Sequence, residues 1–582
     1  MRTTVAFICQ RGDIELKAVL LAASLRLHAR GDCDLVVCLP EPQRTWGTPS
    51  AATRRCLDAL GVRIAATGNP IGSGYPIGNK VGAAAVATDA DRVLLLDSDI
   101  LCLRELDLDG CFAGAMLAKP ADLATFSASA AVWGRLYQRF GLPAPDRRVT
   151  ATVSEEEMWP YYNAGVVAFR TGAGFPEAWA DCCRVIDGEP DVPEKRPHLD
   201  QIALPIAAAR CGLEVTPLPE RLNFPAHLMP LAAGQPILCH YHWPHVLRRE
   251  PVLLRAIGHL VDRHAELAAV LEESGCRDLL LPAIQRSRRP PVSAGRPETG
   301  ADPTGAAGAE PPPADGLVTG IPRSGTSFLC GCLHRLRDQV AINEPAEVFP
   351  ALGRRQPWGI PLLHADLRAR ILAGEAVENK LRGDRVVEDT AVHDVRGTYR
   401  PAVGRDDFGL WTKNTLAYLA RLPQLGDVIP WAPIAACVRH PYDAIGSWAT
   451  SFPHLRDAAV TGFPVGGPAD PLLGDAERER LAAIAACADS AVRRALLWRH
   501  LALQILEQRR WLTIVRYEDL VADPATVVAS LVARLPGGPG AVGLDALLPS
   551  TPSRSRERLT EGDREAIRTT CAAVAGELGY EL

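Results

Sequence analysis

The chain has 582 residues, 47% of them hydrophobic, and a formal net charge of -5. That length exceeds one ordinary core and predicts two large domains. The near-balanced charge excludes a global field that would gather nucleic acid or an anionic membrane surface, and no apolar stretch approaches the length of a membrane-spanning helix.

Met1 to Cys9 holds a short apolar run that passes into Gln10-Arg11-Gly12-Asp13. This reads as a first strand and its loop, not a signal peptide, which would end in small residues. The 16 cysteines are scattered without a C-x-x-C pair, and Cys182-Cys183 and Cys330-x-Cys332 have the wrong spacing for zinc. Cys38, Cys102, Cys239 and Cys437 lie in apolar runs and read as small hydrophobes. Reduced core thiols predict a cytoplasmic protein.

Strands are expected at Thr4 to Cys9, at Asp34 to Leu39 and from Val62 onward, and helices at Ile14 to Ala29 and Ala51 to Leu60. This alternation predicts an α/β layer with a mainly parallel sheet. A small-residue helix follows at Asn79 to Ala87. Then the apolar strand Arg92 to Leu96 ends in Asp97-Ser98-Asp99. The end of a buried strand is where open α/β sheets place ligands. Carboxylates there are costly unless they meet a cation, and aspartate oxygens hold Mg²⁺ or Mn²⁺ with nucleotide phosphates completing the shell. An ordinary acidic turn is the alternative.

The surroundings favour the metal. Asn79-Lys80, then Val93-Leu94-Leu95-Leu96-Asp97-Ser98-Asp99-Ile100, then Tyr162-Asn163-Ala164-Gly165-Val166, Leu199-Asp200-Gln201 and Ile237-Leu238-Cys239-His240-Tyr241-His242 occur in that order. Together they resemble the GT-A-type nucleotide-sugar glycosyltransferases, broadly the glycogenin-like family, over most of residues 1–250. The resemblance implies that Asp97, Asp99 and His240 hold the metal and that Lys80 neutralises phosphate or leaving-group charge. It also implies that Asn163, Asp200 and Gln201 line the sugar and acceptor site, with Asp200 a catalytic candidate. The family continues after its histidine with a glycine and a lysine-proline-tryptophan stretch, whereas this chain has Tyr241-His242-Trp243-Pro244-His245. His242 is therefore an alternative ligand, and an aromatic cluster around Trp243 is the structural alternative for both histidines.

From Arg286 to Gly316 the sequence is mostly Pro, Gly, Ala and charge, with Val292 its only large aliphatic residue. Such a stretch cannot bury enough surface to fold. It predicts domains at 1–285 and 316–582 joined by a disordered linker at 286–315. There is no internal repeat.

The second domain opens on Leu317-Val318-Thr319, the loop Gly320-Ile321-Pro322-Arg323-Ser324-Gly325-Thr326-Ser327 and an apolar segment from Phe328 to Leu336. Strand, glycine-bounded loop and helix form a phosphate cradle from backbone N–H groups and a helix N-terminus. The spacing is that of a Walker A loop, but Thr326 stands where a nucleotide triphosphatase carries lysine, and the cation is Arg323 inside the loop. The strand Gln339 to Ile342 runs into Asn343-Glu344-Pro345, which places a carboxylate for general base work or, alternatively, near a helix N-terminus. Leu410-Trp411-Thr412-Lys413-Asn414-Thr415 puts a lysine after another apolar run. Ala432 to Val438 is a strand that leads into Arg439-His440-Pro441-Tyr442-Asp443-Ala444-Ile445-Gly446-Ser447, with a helix opening at Pro441. Arg439 and Ser447 suit a second phosphate through charge-assisted hydrogen bonds. Trp511 to Val515 is a last strand, before Arg516-Tyr517-Glu518-Asp519-Leu520.

Two phosphate sites on one nucleotide point to adenosine 3′,5′-bisphosphate. The loop, the N-E-P, K-N-T and R-H-P-Y-D-A-I-G-S segments, R-Y-E-D-L and the terminal Gly579-Tyr580-Glu581 resemble the carbohydrate and tyrosylprotein sulfotransferases over nearly all of residues 316–582. The resemblance implies 3′-phosphoadenosine 5′-phosphosulfate as co-substrate. Arg323 and Lys413 would stabilise the sulfonate and Glu344 would be the base. Ser324, Gly325, Thr326 and Ser327 would hold the 5′-phosphate, and Arg439 and Ser447 the 3′-phosphate. The whole chain then reads as a bifunctional transferase with a carbohydrate or small-molecule acceptor and a nucleotide sugar as partners. The alternatives are a sulfotransferase with a non-catalytic sugar-binding module and a P-loop kinase with Ile514 to Asp519 as its Walker B strand; Thr326 in the lysine position argues against the kinase.

Overall fold

The computed structural model describes residues 1–582 apart from 127–128, 289–311, 384, 391–392, 450 and 538–539. The chain divides into two compact units, Met1–Gly295 and Arg296–Leu582. Most of the expected linker, 289–311, lies outside the described residues. At its edges the helix Arg277–Ser287 continues past the expected boundary, because Arg288 donates to the Gly258 carbonyl at 3.1 Å and to Asp262 at 2.7 Å. The next strand begins at Asp315.

The first unit is built on a seven-stranded mixed sheet. Across the sheet the strands run Val215–Pro217, Met116–Pro120, Tyr162–Arg170, Arg92–Leu96, Thr3–Ile8, Cys33–Glu41 and Arg63–Gly68. Tyr162–Arg170 is antiparallel to both of its neighbours; the other pairings are parallel. Arg92–Leu96 is central, and all five of its residues are buried. The one charge in it, Arg92, is 0% exposed, and its guanidinium donates to Thr3 Oγ1 and to the carbonyls of Leu108 and Phe112. Those acceptors take up both terminal nitrogens and offset most of the cost of burying the cation, while Nε is left without a hydrogen-bond partner. Beyond the strand's carboxyl end, Ile100–Cys102 turns into a three-stranded sheet and pairs antiparallel with Leu238–His240. This register sets His240 opposite Ile100, next to Asp99. The expected helix after Asn79 is shorter than predicted, Gly78–Ala83.

The second unit has a five-stranded parallel sheet in the order Gln339–Asn343, Gly409–Lys413, Asp315–Gly320, Ile434–Val438, Leu512–Arg516. The first strand of this unit, Asp315–Gly320, is central, later strands add on both sides, and the order of the strands reverses beside it. Ligands of open α/β sheets gather at the carboxyl ends around such a reversal. The loop 320–325, Glu344, Lys413, Arg439 and Tyr517 all follow those ends. The fold is therefore two α/β domains, a mixed sheet followed by a parallel one, as the sequence predicts. Among the described residues, no helix is long and apolar enough to cross a membrane.

Candidate active sites

In the first unit, the carboxyl end of Arg92–Leu96 releases Asp97-Ser98-Asp99 into a tight corner. Asp97 N–H donates to the Gly165 carbonyl at 2.8 Å, and Ser98 Oγ donates to the Ile8 carbonyl at 2.5 Å. With Ser98 tied down, the aspartates on either side are held in place. His240 Nε2 lies 3.0 Å from Asp99 Oδ1 and 3.8 Å from Asp97 Oδ2. Lys80 Nζ bridges Asp97 at 3.1 Å and Asp200 at 2.9 Å. Asp200 also accepts from Tyr75 OH at 3.0 Å. Thus Asp97, Asp99, His240, Lys80 and Asp200 converge from separate segments. Asn163 joins them through the relay described next. Gln201, half-buried beside Asp200, is positioned by the helix Leu199–Arg210.

The orientation of His240 follows from a directed chain of hydrogen bonds. Lys119, fully buried, ion-pairs with Asp122, whose carboxylate only accepts. Asn163 Nδ2 donates to Asp122 at 2.8 Å, and its Oδ1 accepts from the Gly165 backbone N–H at 2.8 Å. That fixes the Asn163 amide from both ends. Asn223 Nδ2 donates to the same Asn163 oxygen at 3.1 Å, so Asn223 Oδ1 faces His240 Nδ1 at 3.1 Å. His240 Nδ1 therefore donates to Asn223 Oδ1, which turns Nε2 toward the two aspartates, the corner where a cation would be held. Asp122, Asn223, Tyr75 and Lys17 are absent from the sequence reading. They lie in unrelated local patterns and acquire meaning only by proximity.

Charge at this site is strongly polarised. Burial raises the Asp97 carboxyl above the usual range, against the pull of Lys80 and His240. Burial also acts on Asp99, but His240 and Lys17 outweigh it and hold that carboxyl far below the ordinary value. Burial lowers Lys80, yet Asp200 and Asp97 keep it raised and charged. Burial lowers His227 to about 4 and lowers His242 strongly, so both imidazoles are neutral. Asp99, His240 and His242 each offer a ligand atom within 4.8 Å of the others, and His242 Nε2 is buried without a hydrogen-bond partner. This donor set fits a divalent cation.

Gly165 makes the close approach possible. A Cβ there would sit 2.5 Å from His240 Cε1 and 2.7 Å from its Nδ1. Gly165→Ala should therefore push His240 off the aspartates and lower divalent-ion affinity by about tenfold or more, the range seen when ligand orientation is lost. Calorimetric titration of Mn²⁺ into the full chain checks this; unchanged affinity would show that His240 is not a ligand.

In the second unit the glycine-bounded loop 320–325 leads into the helix Thr326–His334 through Gly325, at φ 84° in the left-handed region. A Cβ on Gly325 would meet the Tyr517 ring at 2.6 Å, so glycine is required both for the turn and for the aromatic packed against it. Arg323 also has a positive φ, 66°. Its guanidinium grips Asp389 bidentately at 2.5 and 2.9 Å and donates from Nε to Ser447 Oγ at 3.1 Å. Ser324 Oγ is buried without a hydrogen-bond partner, and Thr326 Oγ1 lies 3.1 Å from Thr415 Oγ1. Ser327 follows on the same helix turn and lines the cleft described below.

Glu344, at φ 53°, ends its strand between two lysines. Lys413 Nζ donates to one carboxylate oxygen at 2.6 Å and Lys380 donates to the other. Burial alone would raise this carboxyl, but Lys413 and Lys380 outweigh it and set it at about 2. Lys380 is absent from the sequence reading, since a lysine in an alternating strand reads as solvated; here it is 5% exposed. Arg439, 3% exposed, donates to the Arg323 carbonyl at 3.0 Å and to Ser553 Oγ at 2.9 Å, with its guanidinium 4.4 Å from the Tyr517 ring centroid. The late R-Y-E-D-L segment meets the chain terminus through Tyr580 OH, which donates to Glu518 at 2.9 Å. A cleft of about 650 Å³ is lined by Arg323, Thr326, Ser327, Glu344, Lys413 and Arg439, together with Phe349, Phe452, His454 and Phe463. The lining thus combines cations and aromatic rings with the carboxylates Glu388, Asp389 and Asp394.

Residues 5–212 match the family model of the Rhodobacterales glycosyltransferase domain, and residues 317–536 match that of the Sulfotransferase family. No curated protein matches the chain. Among solved structures, mouse xyloside xylosyltransferase 1 in its apo form is 14% identical, with 42% of this chain and 98% of that chain covered and a TM-score of 0.28. The WbbM bifunctional glycosyltransferase is 12% identical, covering 47% of this chain and 51% of that one, TM-score 0.28. The galactosyltransferase LgtC with donor and acceptor sugar analogues is 17% identical, covering 46% and 95%, TM-score 0.27. The chain joins a glycosyltransferase domain to a sulfotransferase domain and is a transferase in both halves.

Proposed function

We propose that the second domain transfers the sulfuryl group of 3′-phosphoadenosine 5′-phosphosulfate to a hydroxyl of a carbohydrate or glycosylated metabolite. The first domain transfers a glycosyl group from a nucleotide sugar with the help of Mn²⁺ or Mg²⁺. The observation that carries this reading is the convergence of Arg323, Glu344, Lys413 and Arg439 on one cleft from four strand ends. The loop N–H groups with Ser324, Thr326 and Ser327 suit the 5′-phosphate; Arg439 and Ser447 suit the 3′-phosphate. Sulfuryl transfer is handled by analogy with phosphoryl transfer, where positioning and cations do most of the catalysis. Lys413 and Arg323 would balance charge on the moving group. Glu344 would accept the acceptor's proton, and the aromatic residues of the cleft would hold the acceptor itself. Arg323 must exchange Asp389 for the substrate's anion, so donor binding and release of that pair are coupled.

In the first domain Asp97, Asp99 and His240 would hold the metal, which when bound neutralises the diphosphate of the leaving group. Lys80 would add a further cation, while Asn163, Asp200 and Gln201 would face the sugars. The segment that joins the two units would let the domains act as separate modules of one pathway. A thermal-shift panel of nucleotide sugars and adenosine 3′,5′-bisphosphate on the full chain tests both halves. A ligand at a hundred times its Kd adds about 2.7 kcal/mol, and a null result for the bisphosphate would reject the sulfotransferase reading.

Arg439→Ala should weaken adenosine 3′,5′-bisphosphate far more than adenosine 5′-phosphate, by roughly 1.5–3 kcal/mol, the worth of a charged hydrogen bond. Comparing the two nucleotides separates the 3′-phosphate contact from any loosening of the Arg323 and Ser553 contacts, which would affect both. Equal losses would place the second phosphate elsewhere.

A further inference from the structure

We infer that the metal centre of the first domain takes two imidazoles, His240 and His242, and therefore selects a first-row transition ion over Mg²⁺. This rests on the reading of Asp99 and His240 as metal ligands and narrows it. His242 stacks on His240, with ring centroids 3.8 Å apart and planes 18° from parallel, so a turn of the His242 ring about its side-chain bonds is what brings its lone pair onto an ion held by His240. Asp99, His240 and His242 each present a donor atom, all within 4.8 Å of one another. Two ligands on one ion fall well within that separation.

His242 Nε2 is buried and has no hydrogen-bond partner. A buried polar nitrogen left this way costs free energy unless another group completes it. The backbone makes the same point. His242 adopts φ 58°, a left-handed conformation that a side chain with a Cβ rarely occupies and that clusters at ligand sites. Lys17 holds it there: its ammonium donates to the His242 carbonyl at 2.6 Å and also contacts Asp99 at 3.3 Å. One cation thus ties the two proposed ligands into a single corner. His227 closes the far side, its ring centroid 3.9 Å from that of His242.

The ligand set decides the ion. Mg²⁺ prefers hard oxygen donors and retains water, whereas imidazole suits Fe²⁺, Co²⁺, Ni²⁺ and Zn²⁺, and affinity for nitrogen donors rises along the series from Mn²⁺. A centre of carboxylate and one imidazole discriminates little between Mg²⁺ and Mn²⁺. A second imidazole shifts the balance toward the transition ions.

Calorimetric titration of the full chain with Co²⁺, Mn²⁺ and Mg²⁺ tests this without substrate. His242→Asn is the informative variant, because asparagine tolerates the left-handed backbone. It should lose about tenfold or more in Co²⁺ affinity and change little toward Mg²⁺, while His240→Asn loses all three ions. Unaltered Co²⁺ affinity in His242→Asn, with loss in His240→Asn, overturns the two-imidazole centre and leaves the one-histidine centre standing. Absence of any binding that depends on His240 overturns both. Pulsed EPR of the Mn²⁺-loaded wild-type chain needs no variant: ¹⁴N couplings from two directly bound imidazoles are expected, and couplings from one overturn the inference.

Discussion

Glu344→Gln lowers sulfuryl transfer by roughly 10²–10⁴-fold, the usual worth of a general base, and leaves binding of adenosine 3′,5′-bisphosphate unchanged. The substitution keeps the shape of the side chain and both lysines nearby, but the amide does not accept a proton. Lys380 retains Asp394 at 2.6 Å, so one of the two ammonium groups keeps a counter-charge. The pH dependence is part of the expectation. The folded carboxyl is depressed from 4.5 to about 2, because Lys413 and Lys380 outweigh burial. A depressed carboxyl contributes stability that is complete above its unfolded value and disappears as pH falls through the folded one. The rate profile should then have no acidic limb from Glu344 between pH 4.5 and 7, and its share of stability should fade only between about 4.5 and 2. A carboxylate held this low is ionised but weakly basic, so the donor's sulfonate must draw Lys413 away from Glu344 before it takes the acceptor's proton. Steady-state rates across pH, with the variant alongside, check both points. Unchanged turnover in Glu344→Gln would make the carboxylate a structural counter-ion to Lys413 and Lys380.

Asp97→Asn combined with Asp99→Asn should abolish metal-dependent sugar transfer while sulfuryl transfer to a supplied acceptor persists. Each substitution preserves volume and removes a charge that a divalent ion needs. Lys80 keeps its pair with Asp200 at 2.9 Å, so the fold loses one of its two local anchors there and not both. His240 keeps its hydrogen bond to Asn223 and hence its orientation. The expected defect is therefore in ion binding, not in the position of the imidazole. Paired assays on one preparation, glycosyl transfer with Mn²⁺ and sulfuryl transfer without it, separate the two activities. Sugar transfer with an unaltered metal response would reduce Asp97-Ser98-Asp99 to an acidic turn.

The strand ends were legible because a buried strand followed by an unusual polar residue is a local pattern. Arg92 to Leu96 is apolar enough to announce a central strand, and carboxylates at the end of a buried strand are costly unless they meet a cation. The same logic exposes Glu344, Lys413 and Arg439, each the first charge after an apolar run. Lys380, Asp122 and Asn223 follow no such pattern. Asp122 and Asn223 lie 41 and 60 residues from Asn163, to which both are hydrogen-bonded, and only the fold joins them.

By itself the sequence determined which strands are buried, which loop has the glycine spacing of a phosphate cradle and which charges sit at strand ends, because those features depend on the periodicity and chemistry of a few adjacent residues. Only the tertiary structure decided the state of those charges. It put Glu344 between two lysines, joined Arg323 to Asp389, and lined up Lys119, Asp122, Asn163 and Asn223 so that one nitrogen of His240 faces the aspartates. The reason is that ionisation and tautomer are set by partners within a few ångströms in a poorly polarisable interior, whatever their distance along the chain.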